Sequence, residues 1–522
     1  MSELPAAIST QIDDWLAVYD APDADAAYLL VDRHPADRVA FTQIEVGADG
    51  ELATTDITFG QLADQSRRLA TALAARGIGR GDTVGVLMGK RVELVVSLLA
   101  IARLGAIYIP LFTAFASPAI EMRLTGGAAK LVITEPSQVD KVKGIEGVDQ
   151  LVAGPEFDAL LADSSPLEES VAVGGDGTLV LLFTSGTTGN PKGVPVPVRA
   201  LAAFHAYMQF GLDVSDDDVY WNAADPGWAY GLYYGVLGPM AAGQRNLLLH
   251  AGFSPATFVK VLGELGVSNL AAAPTVYRSL SNDPAITGFS LRRASSAGEP
   301  LTPDVVSWAV EALGCEVRDH YGQTEHGMFI NNHWNDALRE PVVPGSMGFA
   351  MPGFTCGIER GEIAIDTSAS PLLWFTGYLD APDKTAARFT GPDRTGWYLT
   401  ADAGRREDDG RFYFTARDDD VIIMAGYRIG PFDVESVLIT HPSVVDVAVV
   451  GRPDQLRGEV LEAFCVLAPG VVGDDALENE LQVLVKEGFA AHAYPRTVHF
   501  VDELPKTPSG KIQRFKLRET TP

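Results

Sequence analysis

The sequence predicts an α/β protein in which a large N-terminal domain of helix-covered β-sheets precedes a small α+β C-terminal domain. Of the 522 residues, 47% are hydrophobic and 21% are charged, a composition that excludes a disordered or collagen-like chain. From residue 57 onward, segments with helical periodicity alternate with short apolar strands, as expected for helices that cover a sheet. The C-terminal part carries strands and helices in an order of its own, which predicts a separate unit.

The first clear alternation is the helix TFGQLADQSRRLATALAARG followed by the strand TVGVLM. A second helix over residues 93–104 leads into the strands AIYIPL and KLVITE. This region contains the most membrane-like stretch, residues 95–112, but Arg103, Gly105 and Pro110 interrupt it. We therefore expect a buried helix that runs into a buried strand, and no transmembrane span.

The charge balance and the cysteines narrow the class of protein. The 40 Lys and Arg residues against 68 Asp and Glu residues give a net charge of −28, which disfavours binding to nucleic acid or an anionic membrane. An anionic substrate then needs a local basic site. Cys315, Cys356 and Cys465 are too widely spaced for a disulfide framework or a zinc knuckle, and the acidic N-terminus does not resemble a signal peptide. These features predict a cytoplasmic protein.

The C-terminal unit is predicted to start after Arg417, which gives domains over residues 1–417 and 418–522. The segment RDDDVIIMAGYRIG is followed by the helix PFDVESVLIT, the strands VVDVAVVG and EAFCVL, another helix and a last strand, RTVHFV. Residues 496–522 hold six basic and three acidic side chains, so this tail is a candidate for contact with anions.

A loop rich in glycine and hydroxyl residues, TSGTTGNPKGV, directly follows the apolar strand TLVLLF. Small residues free backbone N–H groups to surround phosphate oxygens, and Lys192 adds a positive charge. It is not a Walker A loop, because Pro191 precedes the lysine, Gly193 follows it and a strand-like VPVPV comes next. The predicted phosphate-binding residues are Thr184, Ser185, Gly186, Thr187, Thr188, Gly189 and Lys192.

This loop resembles the signature of the adenylate-forming superfamily of acyl-CoA synthetases, nonribosomal peptide adenylation domains and firefly-type luciferases. Further motifs follow in the family's order: AAPT at 272–275, AGEP at 297–300, YGQTE at 321–325, YLTADAG at 398–404, RDDDVIIMAGYRIG at 417–430 and PKTPSGKIQR at 505–514. The match runs from about residue 57 to the end, and such an ordered series is far more specific than any one motif. It implies a ligase that forms an acyl-adenylate and pyrophosphate from ATP and then an acyl-CoA and AMP.

The resemblance implies roles for the matched residues. Lys511 would bridge the carboxylate and the α-phosphate, Thr324 would offer its hydroxyl to the α-phosphate, and Glu325 would hold Mg²⁺. Asp402 would accept the ribose hydroxyls, although Ala401 stands where the family has glycine. The other implied ATP-binding residues are Gly298, Glu299, Pro300, Tyr321, Gln323 and Arg417.

Three more residues are implied in the second half-reaction. Asp419 falls at the family's hinge, which implies a mobile C-terminal domain that rotates between the half-reactions. Gly426 matches a glycine that lines the tunnel for the pantetheine of CoA, and Arg428 would help to hold phosphate. The implied cofactors are ATP, CoA and Mg²⁺.

The segment WNAADPGWAYGLYYG, residues 221–235, resembles more narrowly the acyl-pocket segment of acetyl-CoA and medium-chain acyl-CoA synthetases. The match implies a pocket walled by Trp228, Ala229, Tyr230, Ala297 and Gly322. Acetyl-CoA synthetases carry tryptophan in place of Gly322, so an open floor is implied, and each buried methylene adds about 0.8 kcal/mol of binding. Tyr230 argues against a long aliphatic acid, since it either shortens the pocket or offers its ring to an aromatic acid.

The expected substrate is therefore a short- to medium-chain fatty acid, and an aromatic acid is the alternative. Two further alternatives are an enzyme that loads a carrier-protein thiol and a nucleotide-binding module without turnover. A zinc site at His320, His326 and His333 is disfavoured by their spacing. A nicotinamide enzyme is not supported, because GIGRG at 77–81 lacks the third glycine of a dinucleotide fingerprint. The oligomeric state stays open.

Overall fold

The structure is a computed structural model that describes residues 6–184, 191–284, 286–299, 301, 303–417, 420, 422–424, 427–454, 458–488, 493–506 and 512–519. At Arg417 and Arg428 the description covers the backbone. The predicted α/β fold class is confirmed, with helices packed on several β-sheets.

The helices alternate with strands along most of the chain. The α-helices of the described ranges are α1 (Ala6–Tyr19), α2 (Phe59–Ala75), α3 (Val92–Arg103), α4 (Ser117–Gly126), α5 (Val139–Val142), α6 (Pro155–Asp163), α7 (Ala200–Ala206), α8 (Ala229–Leu232), α9 (Gly238–Ala242), α10 (Pro255–Glu264), α11 (Pro274–Ser281), α12 (Pro303–Ala312), α13 (Pro382–Ala386), α14 (Pro431–Leu438), α15 (Asp475–Gly488) and α16 (Arg514–Glu519). Short 3₁₀ helices cover Pro136–Gln138 and Pro392–Arg394, and π-helices cover Tyr28–Asp32, Tyr207–Gly211 and Tyr233–Leu237.

The strands form four sheets within the same ranges. They are β1 (Val39–Val46), β2 (Leu52–Thr58), β3 (Thr83–Leu87), β4 (Ile107–Leu111), β5 (Ala129–Thr134), β6 (Asp149–Val152), β7 (Thr178–Thr184), β8 (Lys192–Pro197), β9 (Tyr220–Asn222), β10 (Asn246–His250), β11 (Asn269–Ala272), β12 (Arg293–Ala297), β13 (Val317–Gln323), β14 (Gly327–Asn331), β15 (Ser346–Ala350), β16 (Cys356–Glu359), β17 (Glu362–Asp366), β18 (Trp397–Arg406), β19 (Phe412–Arg417), β20 (Ile422–Met424), β21 (Tyr427–Ile429), β22 (Val444–Asp454), β23 (Gly458–Leu467) and β24 (Thr497–Val501).

A six-stranded sheet has the order β6-β5-β3-β4-β7-β8 and is parallel up to the antiparallel β7–β8 pair. Helices α2 and α3 pack against each other beside it, and α2 begins with a capping box between Thr58 and Gln61. The predicted buried helix that runs into a strand is confirmed as α3 and β4. Across the described chain, no helix combines the length and the apolar character needed to cross a membrane.

A ten-stranded sheet has the order β16-β17-β18-β19-β15-β14-β13-β12-β11-β9. Its strands β9, β11, β12 and β13 are parallel, and the others pair antiparallel. Because the carboxyl ends of parallel strands lie at one edge, the segments that follow β9, β12 and β13 meet there. A third sheet, β10-β1-β2, completes the larger part of the molecule.

The C-terminal sheet has the order β21-β20-β23-β22, with β24 beside β23, and its buried residues form hydrophobic clusters separate from those of the larger part. The ten-stranded sheet ends at Arg417, and this sheet begins at Ile422. The domain boundary between residues 417 and 418 stays a prediction.

Candidate active site

The site lies where β12 and β13 end. These strands run parallel, and Ala297 at the end of β12 pairs with His320 in β13. The chain leaves β13 through Gln323, Thr324 and Glu325, so the AGE and YGQTE motifs lie beside each other. Parallel pairing thus brings together two motifs that are more than 20 residues apart in sequence.

The Asp402 carboxylate, in β18, is held from β13. Tyr321 Oη and Gln323 Nε2 each donate to Asp402 Oδ2 at 2.6 Å, and Gln323 Nε2 also donates to the Thr400 carbonyl at 2.9 Å. The Asp402 backbone N–H donates to Thr400 Oγ1 at 3.1 Å. Asp402 is 5% exposed, so its orientation is set by these donors rather than by water.

Ala401 precedes this carboxylate with a left-handed backbone, at a φ of 58°. Glycine adopts that conformation freely, whereas an alanine there is strained. Ala401, which replaces the family's glycine, therefore keeps the backbone conformation that glycine favours.

The Glu325 carboxylate is placed by an aromatic residue outside the predicted motifs. Tyr378 Oη donates to Glu325 Oε1 at 2.8 Å and accepts from Arg388 Nε at 3.3 Å, while Lys192 Nζ lies 4.8 Å from the centre of the Tyr378 ring. Burial lowers the pKa of Arg388, but Tyr398, Tyr378 and Glu325 outweigh it and leave that pKa above its usual value. Arg388 thus stays cationic behind an acidic group.

Thr324 is fixed through its backbone, because its carbonyl accepts from Tyr233 Oη at 3.0 Å. Tyr233 begins the π-helix Tyr233–Leu237, and Tyr207 begins a second π-helix nearby in the same aromatic cluster. Interruptions of this kind occur frequently at functional sites.

The predicted phosphate loop is the connection between the antiparallel strands β7 and β8. Thr184 and Lys192 are register partners at the base of this hairpin, and Thr184 Oγ1 donates to the Lys192 carbonyl at 3.5 Å. The predicted ligands Ser185, Gly186, Thr187, Thr188 and Gly189 lie outside the described residues.

On the predicted adenine side, Gly298 has a φ of 107°, and Glu299 Oε2 accepts from Arg278 at 2.8 Å. Pro300 lies outside the described residues. Sequence reasoning missed Asp319, which pairs with Ser296 across β12 and β13. Burial raises the pKa of Asp319 well above its usual value, and Oδ1 is buried without a hydrogen-bond partner in the described part of the chain.

The predicted acyl-pocket residues lie at the ends of β12 and β13 and at the start of α8, which follows β9. The Trp228 ring packs on Phe112 and Phe115 at centroid distances of 5.5 and 5.2 Å, and α8 then begins with Ala229 and Tyr230. Tyr230 Oη lies 3.3 Å from Tyr207 Oη.

Gly322 has a packing reason to lack a side chain. A Cβ there would lie 2.1 Å from the Gly327 carbonyl oxygen and 2.6 Å from Met328 Cα, because β13 and β14 approach closely at this point. In this chain the close approach of β13 and β14 therefore leaves no room for a side chain at this position, independently of the volume of the pocket.

The predicted C-terminal residues are described in part. Lys511, Asp419 and Gly426 lie outside the described residues, and Arg417 and Arg428 are placed in β19 and β21 by their backbones. In the β18–β19 pair, Arg417 is the register partner of Asp402. The pairing of β18 with β19 therefore places two of the implied ATP-binding positions on adjacent strands.

The three histidines near YGQTE are buried groups. Burial lowers the pKa of His320 and of His326 to about 3, and that of His333 to about 4. Among the described residues, no three His, Cys, Asp or Glu side chains are grouped to hold a metal ion.

Comparison with known proteins gives two family matches along the chain. The model of the AMP-binding enzyme family matches residues 30–362, and that of the AMP-binding enzyme C-terminal domain matches residues 433–511. Acetyl-coenzyme A synthetase of Bacillus subtilis (strain 168) is 34% identical over 530 residues, covering 95% of this chain and 90% of that protein.

Solved structures agree with these matches. The Brucella canis acyl-CoA synthetase is 43% identical, with a TM-score of 0.75 over 99% of this chain and 97% of that one. The anthranilate CoA ligase AuaEII in complex with anthranoyl-AMP is 26% identical, with a TM-score of 0.84 over 95% and 97% of the two chains.

Proposed function

The chain belongs to the AMP-binding enzyme family and is an AMP-forming acid–CoA ligase, and we propose that it activates short- to medium-chain carboxylic acids with ATP and Mg²⁺. The observation that carries the proposal is the convergence at the end of β13. Asp402, held by Tyr321 and Gln323, and Glu325, held by Tyr378, are carried to one edge of the sheet from three separate segments.

The chemistry has two steps. A carboxylate oxygen of the acid forms a bond to the α-phosphorus of ATP while the bond from that phosphorus to pyrophosphate breaks. The thiol of CoA then forms a bond to the acyl carbon, loses its proton, and AMP leaves with the electrons of the acyl–oxygen bond. Both steps bring anions together, so positioning and charge neutralisation supply most of the catalysis.

The nucleotide-binding roles follow from the donors and acceptors of the site. The Asp402 carboxylate accepts from the ribose hydroxyls. Asp319 Oδ1, which has no hydrogen-bond partner among the described residues, accepts from an amino group of the base. Arg417, Gly298 and Glu299 border this nucleotide site. The phosphate loop with Lys192 surrounds the phosphates, and Thr324 offers its hydroxyl to the α-phosphate.

Magnesium fits the acidic group present. Tyr378 donates a hydrogen bond to Glu325 Oε1. Mg²⁺ is often bound by a single protein carboxylate and takes its other ligands from phosphates and water. When bound, the ion neutralises phosphate charge. Arg388 and Lys192, which both lie beside Tyr378, add positive charge around the same phosphates.

Both steps use residues of the C-terminal unit. Lys511 assists adenylation, and Asp419, Gly426 and Arg428 serve the CoA-dependent half, so residues 418–522 act as a domain that moves between the two steps. The proposed cellular location is the cytoplasm.

The main test is release of AMP with ATP, Mg²⁺ and CoA across acids from acetate to decanoate, together with benzoate and phenylacetate. We expect a maximum between four and eight carbons, since each added buried methylene contributes about 0.8 kcal/mol until the pocket is full. A maximum at benzoate would replace the aliphatic acid by an aromatic one. Pyrophosphate exchange without CoA-dependent AMP would contradict CoA as the acceptor.

A variant separates the two half-reactions. Lys511→Ala should lose adenylation by at least a hundredfold, because a charge that positions two anions is removed, and should still convert a supplied acyl-adenylate to acyl-CoA. Lys516→Ala, in the same tail on α16, is the matched control and should adenylate normally. Equal adenylation by both variants would exclude Lys511 from the first step.

A further inference from the structure

A row of hydrogen-bonded groups runs inward from Tyr230. Tyr230 Oη lies 3.3 Å from Tyr207 Oη, which lies 2.6 Å from His320 Nδ1, and His320 Nε2 lies 3.2 Å from the Asn332 carbonyl oxygen. The row joins α8, the π-helix Tyr207–Gly211 and β13, so it connects the predicted acyl pocket with the strand that carries the YGQTE motif.

The direction of each proton in this row is assigned from its inner end. The Asn332 carbonyl only accepts, so His320 Nε2 carries a proton and donates it. Burial lowers the pKa of His320 to about 3, so the ring is neutral and its Nδ1 accepts. The single proton of Tyr207 therefore goes to His320, and the Tyr207 oxygen accepts the proton of Tyr230.

The outer end of the row is then an acceptor. Tyr230 has spent its only proton on Tyr207, so its oxygen has lone pairs left and nothing to donate. Tyr230 is also the member of the row that keeps part of its surface open, whereas Tyr207 is fully buried and His320 is 2% exposed. Its ring packs against Tyr234 on one side, at 5.5 Å between centroids.

We infer that the preferred acid carries a hydrogen-bond donor, a hydroxyl or an amino group, on its tail, and that Tyr230 selects it. This inference rests on the proposed function, because it places the tail of the acid beside Tyr230. A hydroxyl or amino group donates to the Tyr230 oxygen. A keto oxygen in the same place meets lone pairs, and a plain alkyl tail leaves the acceptor unsatisfied, so both bind less well.

The test compares acids of one carbon skeleton that bear a hydroxyl, a keto oxygen or only hydrogen at the same tail carbon. Series are made for six- to eight-carbon acids and for ring-substituted benzoates, and kcat/KM is measured by AMP release. We expect at least one series in which kcat/KM for the hydroxy acid exceeds that for the keto acid by about tenfold. The reason is that the hydroxy acid gains one hydrogen bond and leaves no acceptor unpaired.

Two variants and a control isolate the row. Tyr230→Phe removes the acceptor and should bring the hydroxy-to-keto ratio close to one. Tyr207→Phe frees the proton of Tyr230, which then donates to a keto oxygen, so this ratio should fall through an increased rate with the keto acid. Tyr220→Phe is the control, because Tyr220 Oη donates at 2.8 Å to the Tyr234 carbonyl and takes no part in the row.

Circular dichroism establishes that each variant is folded, and if Tyr207→Phe is not, Tyr230→Phe decides alone. Calorimetric titration of the three acids repeats the comparison without turnover. The inference is overturned if, in every series, the parent enzyme has a kcat/KM for the keto acid that equals or exceeds that for the hydroxy acid. It is also overturned if Tyr230→Phe leaves the hydroxy-to-keto ratio unchanged. AMP formation with any acid of the panel would still uphold the ligase, so the two failures are distinguishable.

Discussion

Asp402 shows how single residues at this site depend on partners far away in sequence. Its carboxylate receives two donors from the YGQTE motif, 79 and 81 residues away. These donors orient one oxygen of a carboxyl group that is only 5% exposed. An oriented carboxylate of this kind binds a vicinal diol more strongly than a mobile one does.

Asp402→Asn should therefore weaken ATP binding more than it slows the chemistry. Loss of a charge-assisted hydrogen bond costs about 1.5–3 kcal/mol, so the KM for ATP should rise roughly tenfold to hundredfold while kcat changes less. Steady-state kinetics with varied ATP measures this split. Asp408→Asn, an exposed carboxylate in the turn between β18 and β19, is the control and should change neither constant. An unchanged KM in Asp402→Asn would remove Asp402 from the ATP site.

Ala401→Gly should stabilise the fold, contrary to the usual effect of glycine in a strand. A left-handed alanine costs about 1–2 kcal/mol, and the extra freedom of glycine in the unfolded chain returns about 0.5–1 kcal/mol of that. The free energy of unfolding by urea should rise by up to about 1.5 kcal/mol. Ala53→Gly, at an exposed position of β2, is the comparison and should lower it by about 0.5–1 kcal/mol. Equal losses in both variants would contradict strain at Ala401.

At the scale of elements, a buried ion pair ties the first helices together. Arg103, the last residue of α3, is fully buried and donates to both oxygens of Asp32 at 2.7 and 2.9 Å and to Ser66 Oγ at 2.9 Å. Asp32 ends the π-helix Tyr28–Asp32, and Ser66 lies in α2. The polar residue that interrupts the most apolar stretch of the sequence thus joins three helical elements.

Asp32→Ala should destabilise the larger part of the molecule by about 3–5 kcal/mol, because it leaves a buried guanidinium without its counter-charge. Thermal and urea unfolding measure the loss. Asp216→Ala, which breaks the exposed pair between Asp216 and Arg38, is the matched control, and its cost should stay below about 1 kcal/mol. Similar small losses for both would show that Arg103 finds another partner.

At the scale of the whole molecule, acid should unfold the protein through its buried histidines. Burial lowers the pKa of five of them, to about 3 in His205, His320 and His326 and to about 4 in His34 and His333. Each folded-state pKa lies below the unfolded value of about 6.5, so the unfolded chain binds protons first as the pH falls. The stability these groups contribute is therefore present above pH 6.5 and lost below it.

Three carboxyl groups act in the opposite direction. Burial raises the pKa of Asp225 and of Asp319, and that of Asp433 to about 6, so folding favours their protonated forms in acid. These carboxyl groups release at most three protons on unfolding near pH 5, whereas the five histidines take up about five. The net uptake is therefore at least about two protons, and stability should fall by roughly 3 kcal/mol or more per pH unit there. Urea unfolding between pH 7 and pH 5 measures this slope, which His333→Gln should reduce by about one proton. A stability that does not fall over this range would contradict the buried neutral histidines.

The sequence alone determined the fold class and the type of reaction, because local patterns and motifs indicate both. Alternating helical and strand periodicity predicted the covered sheets, and α3 running into β4 followed the prediction. The residue types of the loop TSGTTGNPKGV indicated phosphate binding, and the ordered series of motifs, YGQTE among them, pointed to the reaction through its resemblance to the adenylate-forming superfamily. The roles of the individual motif residues stay predictions.

Only the tertiary structure decided which side chains support those motifs. Tyr378 is 53 residues from Glu325, and Tyr207 is 113 residues from His320, so no spacing rule joins either pair. From the sequence, Gly322 is interpreted as the open floor of the acyl pocket. The structure shows that the close approach of β14 leaves no room for a side chain there. The physical reason is the same in each case: hydrogen bonds and close contacts across a sheet edge depend on strand register and on packing between distant segments, which local sequence does not encode.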